Sequence, residues 1–120
     1  MLTFALGGKA SLPPAEHEVP PLLDDPNFVV DDKKAALGMA VFHRNCHVCH
    51  GPRLIAGGAA PDLRRAMTPM YLDALSAVLR DGSLRTRGMP QFEEMPAEEV
   101  EGVMHYVRQQ ARAALAAERQ

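Results

Sequence analysis

The sequence has no tryptophan, four phenylalanines and two tyrosines, and although 47% of its residues are hydrophobic, 18 of these are alanines. Side chains so small, with aromatics so few, are thin material for a core. A chain of 120 residues is one small domain with room for a linker or tail, and it buries only about two-thirds of its unfolded surface. A flat apolar group held in the interior would supply the missing bulk, although compact helical bundles can also be alanine-rich. Charge is equally sparse in pattern. The net charge is −2, with no basic face to meet nucleic acid and no block of like charge to mark a tail. No apolar run approaches the ~20 residues of a membrane span. Strand-type alternation and internal repeats are both missing. The opening Met1-Leu2-Thr3-Phe4-Ala5-Leu6 lacks the charged flank, apolar stretch and cleavage site of a signal peptide.

What the chain does have is concentrated in one pentapeptide. Both of its cysteines lie in Cys46-His47-Val48-Cys49-His50. C-x-x-C-H is the attachment signature of a c-type haem. The two thiols add to the porphyrin vinyl groups as thioethers, and the adjoining histidine ligates the iron. Two intervening residues make about one helical turn, which sets the sulfurs at the separation of the vinyls. Two other readings use the same residues: a redox dithiol, or half of a zinc site completed by His43, His47 or His50. A thioredoxin-type dithiol needs a βαβ setting that this pattern does not offer. A structural zinc site usually brings a second pair of ligands, whereas His17 and His105 stand alone. The pattern therefore favours one covalent haem c. In bacteria such motifs are loaded outside the cytoplasm, so the expected location is the periplasm. Either a leader has been removed, or the chain is a piece of a larger exported protein.

Residues 1–30 read as an extended linker or strap, carrying five of the ten prolines (Pro13, Pro14, Pro20, Pro21 and Pro26). Phe4, Leu12, Leu22, Leu23 and Phe28 are its candidate anchors. Residues 31–120 read as the domain. A helix should start at Asp31 or Asp32 and run through Leu37, Ala40, Val41 and Arg44 into the haem motif. Gly38 within it costs about 1 kcal/mol relative to alanine, a cost usually accepted where another helix comes close. Phe42 lies one turn further along the same face. Leu54 to Ala60, with Gly57-Gly58, reads as a loop. Thr68-Pro69 predicts a second helix start, with Leu72, Leu75, Val78 and Leu79 as the buried stripe and Gly82 at the left-handed C-terminal cap. A third helix should start near Pro96, with Glu98 and Glu99 in its first turn. Its buried face would be Val100, Val103, Met104 and Val107, with Tyr106 meeting Gly38 and Phe42. Ala111 to Ala117 would extend it into fraying last turns. The expected fold is all-α, three main helices around one haem.

An iron held by one histidine needs a sixth ligand or keeps an open site. Met89 is the candidate, from a loop stiffened by proline in Arg87-Gly88-Met89-Pro90, and Met95 is its rival. Met39 and Met104 fall within helices, and Met67 and Met70 read as core filler. A ligating histidine normally donates its other ring N–H to an acceptor. The Pro61 carbonyl of Pro61-Asp62-Leu63 is the candidate, with Leu63 packing on the haem. Arg85 and Arg87 either neutralise haem propionates or are solvated surface arginines. No acid–base pair or activated nucleophile is visible, so the domain alone should carry electrons.

Gly38-x-x-x-Phe42-x-x-x-Cys46, C-x-x-C-H, Pro61-x-Leu63, Gly88-Met89-Pro90 and an aromatic in the last helix together resemble a class I cytochrome c domain over residues 31 to about 110. In that family His50 and Met89 would be the axial ligands, and the first and last helices would cross at Gly38. Three further stretches resemble the C-terminal haem domain of quinohaemoprotein alcohol dehydrogenases: Cys49-His50-Gly51, Gly57-Gly58-x-x-Pro61-Asp62-Leu63-Arg64 and Arg87-Gly88-Met89-Pro90-x-Phe92. Leu2-Thr3-Phe4-Ala5-Leu6-Gly7-Gly8-Lys9 is similar to the last propeller strand before the linker of those enzymes. The resemblance implies electrons received from reduced pyrroloquinoline quinone (PQQ) in a propeller domain, in cis or as a partner. They would leave to a soluble acceptor such as a cupredoxin or another cytochrome. Met95 before Pro96 departs from the family's usual serine or threonine cap. A free-standing periplasmic cytochrome and a small zinc-binding module are the alternatives.

Overall fold

Asp31 starts the first helix of the computed structural model, which describes residues 6–11, 18–56 and 60–120. Its carboxylate accepts from the backbone N–H groups of Lys33 and Lys34 at 2.9 and 3.1 Å, capping α1 (Asp32–Asn45). The buried stripe of α1 is Ala35, Gly38, Val41 and Phe42. Leu37 and Ala40, through which the helix also runs, face solvent. The contact is centred on Gly38, and the helical repeat turns its neighbours away from it.

Gly38 meets the last helix, α4 (Ala97–Glu118), at Gly102. A β-carbon on Gly38 would stand 1.8 Å from the Gly102 carbonyl oxygen, and one on Gly102 would stand 3.0 Å from the Gly38 nitrogen. The backbones touch, so no side chain fits at Gly38. One turn beyond, the Phe42 and Tyr106 rings lie 5.6 Å apart, tilted by 50°. Val100, Val103, Met104 and Val107 are buried as expected, but so are His105, Tyr106 and Arg108. The middle of α4 is thus enclosed on nearly every side. No side chain caps its start at Pro96, and the helix continues to Glu118.

Between these two helices run α2 (His47–His50) and α3 (Leu72–Leu79). Thr68-Pro69 does not open α3. These residues form a separate 3-10 turn, Thr68–Met70, closed by the Tyr71 N–H on the Thr68 carbonyl at 3.2 Å. Tyr71 is extended at φ −128° and ψ 123° before α3 begins. Buried Pro69 pins this turn, so the chain pauses before turning helical. Leu75 and Leu79 are buried and Val78 half-buried, whereas Leu72 is exposed. Gly82 takes φ 70°, as expected of a left-handed cap. Met67 is exposed rather than core filler.

Residues 18–31 contain no helix or strand and lie against α4. Leu22 is buried, and the Phe28 ring sits 4.9 Å from that of His105. Arg108, only 2% exposed, donates to the Leu23 carbonyl at 3.1 Å and to Asp24 at 2.8 Å, and it contacts the Met70 sulfur. Arg112 donates twice to Asp24, each at 3.1 Å, and to the Asp25 and Phe28 carbonyls. Phe4, Leu12 and Gly57-Gly58 lie outside the described residues. Among the described residues there is no strand, and no helix is long and apolar enough to cross a membrane.

Candidate haem site

The cysteine motif begins as the last turn of α1. The Cys46 N–H still bonds the Phe42 carbonyl at 2.8 Å, and the His50 N–H bonds the Cys46 carbonyl at 3.0 Å. Gly51 ends the turn at φ 75°, where a β-carbon would meet the Ile55 carbonyl oxygen at 2.2 Å. Cys46 is buried and Cys49 exposed, and they do not pair as a disulfide. Burial pushes the Cys46 thiol up to about 11. At that value Cys46 is held as the thiol and is no thiolate nucleophile.

His50 is buried, and its Nδ1 lies 3.1 Å from the Pro61 carbonyl oxygen. A carbonyl has no proton to give, so Nδ1 carries the hydrogen and Nε2 keeps its lone pair. Pro61 itself is held by its neighbours. Asp62 accepts from the Arg64 N–H at 3.0 Å and from the Arg64 and Arg65 guanidiniums at 2.7 and 3.3 Å, which closes the 3-10 turn Leu63–Arg65. Those charged bonds hold the Asp62 carboxyl below the ordinary carboxylate range against the cost of its partial burial.

One cavity of about 640 Å³ gathers the sequence-predicted residues: Cys46, Cys49, His50, Pro61, Leu63, Arg87 and Met89 all line it. Met95 does not. It is buried in the core and faces a separate surface groove beside Arg44 and Glu99. The structure thus brings Met89, and not its rival, to the cavity of His50. Arg87 reaches the cavity wall from the exposed turn Arg85–Arg87, while Arg85 does not. Much of the remaining wall is apolar: Leu75, Val78 and Leu79 from α3, Leu84 from the following loop and Val103 from α4. The helical stripe of α3 was visible in the sequence, but what it faces was not. Leu84 and Pro69 carried no signal that could have placed them here. Among the described residues no three His, Cys, Asp or Glu side chains gather as a metal site.

Residues 33–107 match the family described as "Cytochrome C oxidase, cbb3-type, subunit III". The chain belongs to this cytochrome c family. Relatives in whole proteins show where such a domain occurs. Over 109 residues, 89% of this chain, it is 34% identical to "Quinohemoprotein alcohol dehydrogenase ADH IIB" of Pseudomonas putida, and that match covers 16% of the relative. It is 30% identical to "Alcohol dehydrogenase (quinone), dehydrogenase subunit" of Gluconobacter oxydans across 92% of this chain and 15% of the relative. It is 34% identical to "1-butanol dehydrogenase (cytochrome c)" of Thauera butanivorans across 88% of this chain and 15% of the relative. The chain therefore spans about a sixth of the length of the curated relatives it matches.

The cofactor of a cytochrome c domain is covalently bound haem c, and the domain's work is electron transfer. The residues present fit that group. The cavity falls within the ~300–1,000 Å³ of cofactor sites. Its apolar wall, two thiols, an imidazole with a free lone pair and a thioether together make the donor set that a c-type haem requires.

Proposed function

We propose that Cys46 and Cys49 carry the haem thioethers and that His50 and Met89 are the axial iron ligands. Leu63 packs on the ring, Pro61 fixes the histidine tautomer, and Arg87 offers its guanidinium to a propionate. Bound haem supplies a one-electron iron couple inside an apolar pocket, and a thioether opposite an imidazole raises its potential relative to two imidazoles. The chain contributes everything else: ligand identity, exclusion of water by the α3 wall, and the distance at which partners are held. The observation that carries this reading is the single cavity shared by Cys46, Cys49, His50 and Met89.

In its wider setting, residues 1–30 form a linker following a propeller domain, and residues 31–120 form the cytochrome domain. This domain takes electrons singly from the reduced PQQ of an alcohol dehydrogenase and passes them to a soluble periplasmic acceptor, a cupredoxin or another cytochrome. Support comes from the three relatives, each named as an alcohol or butanol dehydrogenase, and from the share of their length this chain covers. Met89→Ala tests the ligand assignment. The ferric variant should lose the weak red charge-transfer band of sulfur-ligated iron and bind carbon monoxide, once reduced, more readily than the parent. A parent that binds carbon monoxide as freely as the variant would contradict it.

A further inference from the structure

The linker and the haem histidine lie on one chain of hydrogen bonds. The Pro61 carbonyl, acceptor for His50 at 3.1 Å, belongs to a short segment whose regular structure is the three-residue turn Leu63–Arg65. That turn moves as one body with Asp62, because both arginines bond its carboxylate. Two bonds tie the turn to the linker. The Leu23 N–H donates to the Arg64 carbonyl at 3.0 Å, and the Arg65 guanidinium donates to the Pro20 carbonyl. The linker, in turn, cannot drift. Asp24 is clasped by Arg112 and by Arg108, whose guanidinium is almost wholly buried against α4.

We propose that Asp24, with Arg108 and Arg112, is a positioning residue for the haem histidine: the clasp holds residues 20–24 in place, they hold the turn, and the turn holds the Pro61 carbonyl against His50. The inference deepens the ligand assignment above and rests on it. Its physical consequence follows from the second shell of a metal ligand. A hydrogen bond from Nδ1–H to a carbonyl raises the basicity of the imidazole. A more basic ligand favours ferric iron, so a taut linker lowers the potential and a slack one raises it. Residues that touch neither haem nor iron thereby set the driving force for electron transfer, and the same residues lead into whatever precedes the domain.

Two full-chain variants separate this from the trivial effect of charge. Asp24→Asn removes a negative charge and Arg112→Gln a positive one. Through-space electrostatics alone would move the midpoint potential in opposite directions, up for the first and down for the second. Slackening of the clasp moves both upward. It also speeds solvent exchange of the His50 Nδ1–H, read by NMR of the reduced protein, by about tenfold, the scale of one charge-assisted hydrogen bond. Lys34→Gln, which removes a positive charge and breaks an ion pair with Glu101 on another face, should leave exchange at the parent value and shift the potential, if at all, downward as charge alone dictates. Upward shifts and faster exchange in both clasp variants support the inference. Opposite shifts, or variants less stable to urea with parent-like exchange, overturn it. If Asp24→Asn does not fold, Arg112→Gln decides alone, since charge predicts a fall and the clasp a rise. A parent chain maturing without covalent haem would bring down the ligand assignment as well, whereas a coloured parent indifferent to these variants brings down this inference only.

Discussion

The α1–α4 crossing and the wall around the haem cavity solve opposite problems. At the crossing nothing is missing. Gly38 and Gly102 put backbone on backbone, Phe42 and Tyr106 fill the next turn, and ion pairs Lys34–Glu101 and Arg44–Glu99 flank it at 2.6 and 2.9 Å. Around the cavity the 3-10 turns Leu63–Arg65, Thr68–Met70 and Arg85–Arg87 and their loops bring Leu63, Pro69, Leu84 and Met89 to face α3 across about 640 Å³ of space. One half is complete from protein alone. The other is finished by its cofactor, which is how a chain so poor in large side chains closes a core.

The largest effect should come from withholding the haem. In a Cys46→Ala/Cys49→Ala double variant, amides of residues 60–70 and 84–92 should exchange with local stability close to zero, while those of the α1–α4 crossing keep measurable protection. Uniform loss along the whole chain in residue-resolved hydrogen exchange would erase the distinction. Next comes Gly38→Ala in the haem-loaded chain. With a β-carbon forced to within 1.8 Å of a carbonyl oxygen, the helices must part, at a cost of about 3 kcal/mol or more in denaturant titration. Gly102→Ala should cost less, about 1 kcal/mol, because its contacts begin at 3.0 Å. The reverse order would show that the crossing is not seated as described.

A smaller effect is tied to pH. His105 Nδ1 accepts from the Asp31 N–H at 3.0 Å, and a protonated ring could not. Burial first, then Lys34, lowers its pKa from 6.5, while Glu101 and Asp31 pull the other way. The unfolded chain thus takes up this proton at higher pH than the folded one. The stability His105 contributes is complete above about pH 6.5 and is lost as pH falls below it toward the folded value. Urea titrations across that window should show the decline, and His105→Gln should flatten it. An equal slope in the variant would assign the decline to other groups. The smallest effect belongs to Lys34→Gln. Its ion pair with Glu101 is 43% and 33% exposed, so its loss should cost no more than about 0.5 kcal/mol.

The same contrast explains what could be read from the sequence. C-x-x-C-H announced its chemistry because covalent attachment demands fixed spacing, and the Asp31 cap and Gly38 are local signals with local causes. Pro61 was found from what a ligating histidine needs. The failures are tertiary. Gly38 implied a close neighbour, but nothing in Glu101-Gly102-Val103 says that Gly102 is the one. Nothing in the sequence around Arg108 marks it as buried, yet it is, because Asp24, 84 positions earlier, comes to meet it. The gap between Thr68–Met70 and α3 depends on how Pro69 packs. Leu54, buried with φ 66°, has no sequence signal at all.

The most direct test is the colour of the protein itself. The full chain, expressed with periplasmic haem maturation and purified, should show the sharp absorption bands of reduced low-spin haem c. Its pigment should stay with the protein in acidified acetone, and it should do so only while Cys46 and Cys49 are both present. A colourless protein, or pigment that washes out of the intact chain, would contradict the account at its centre.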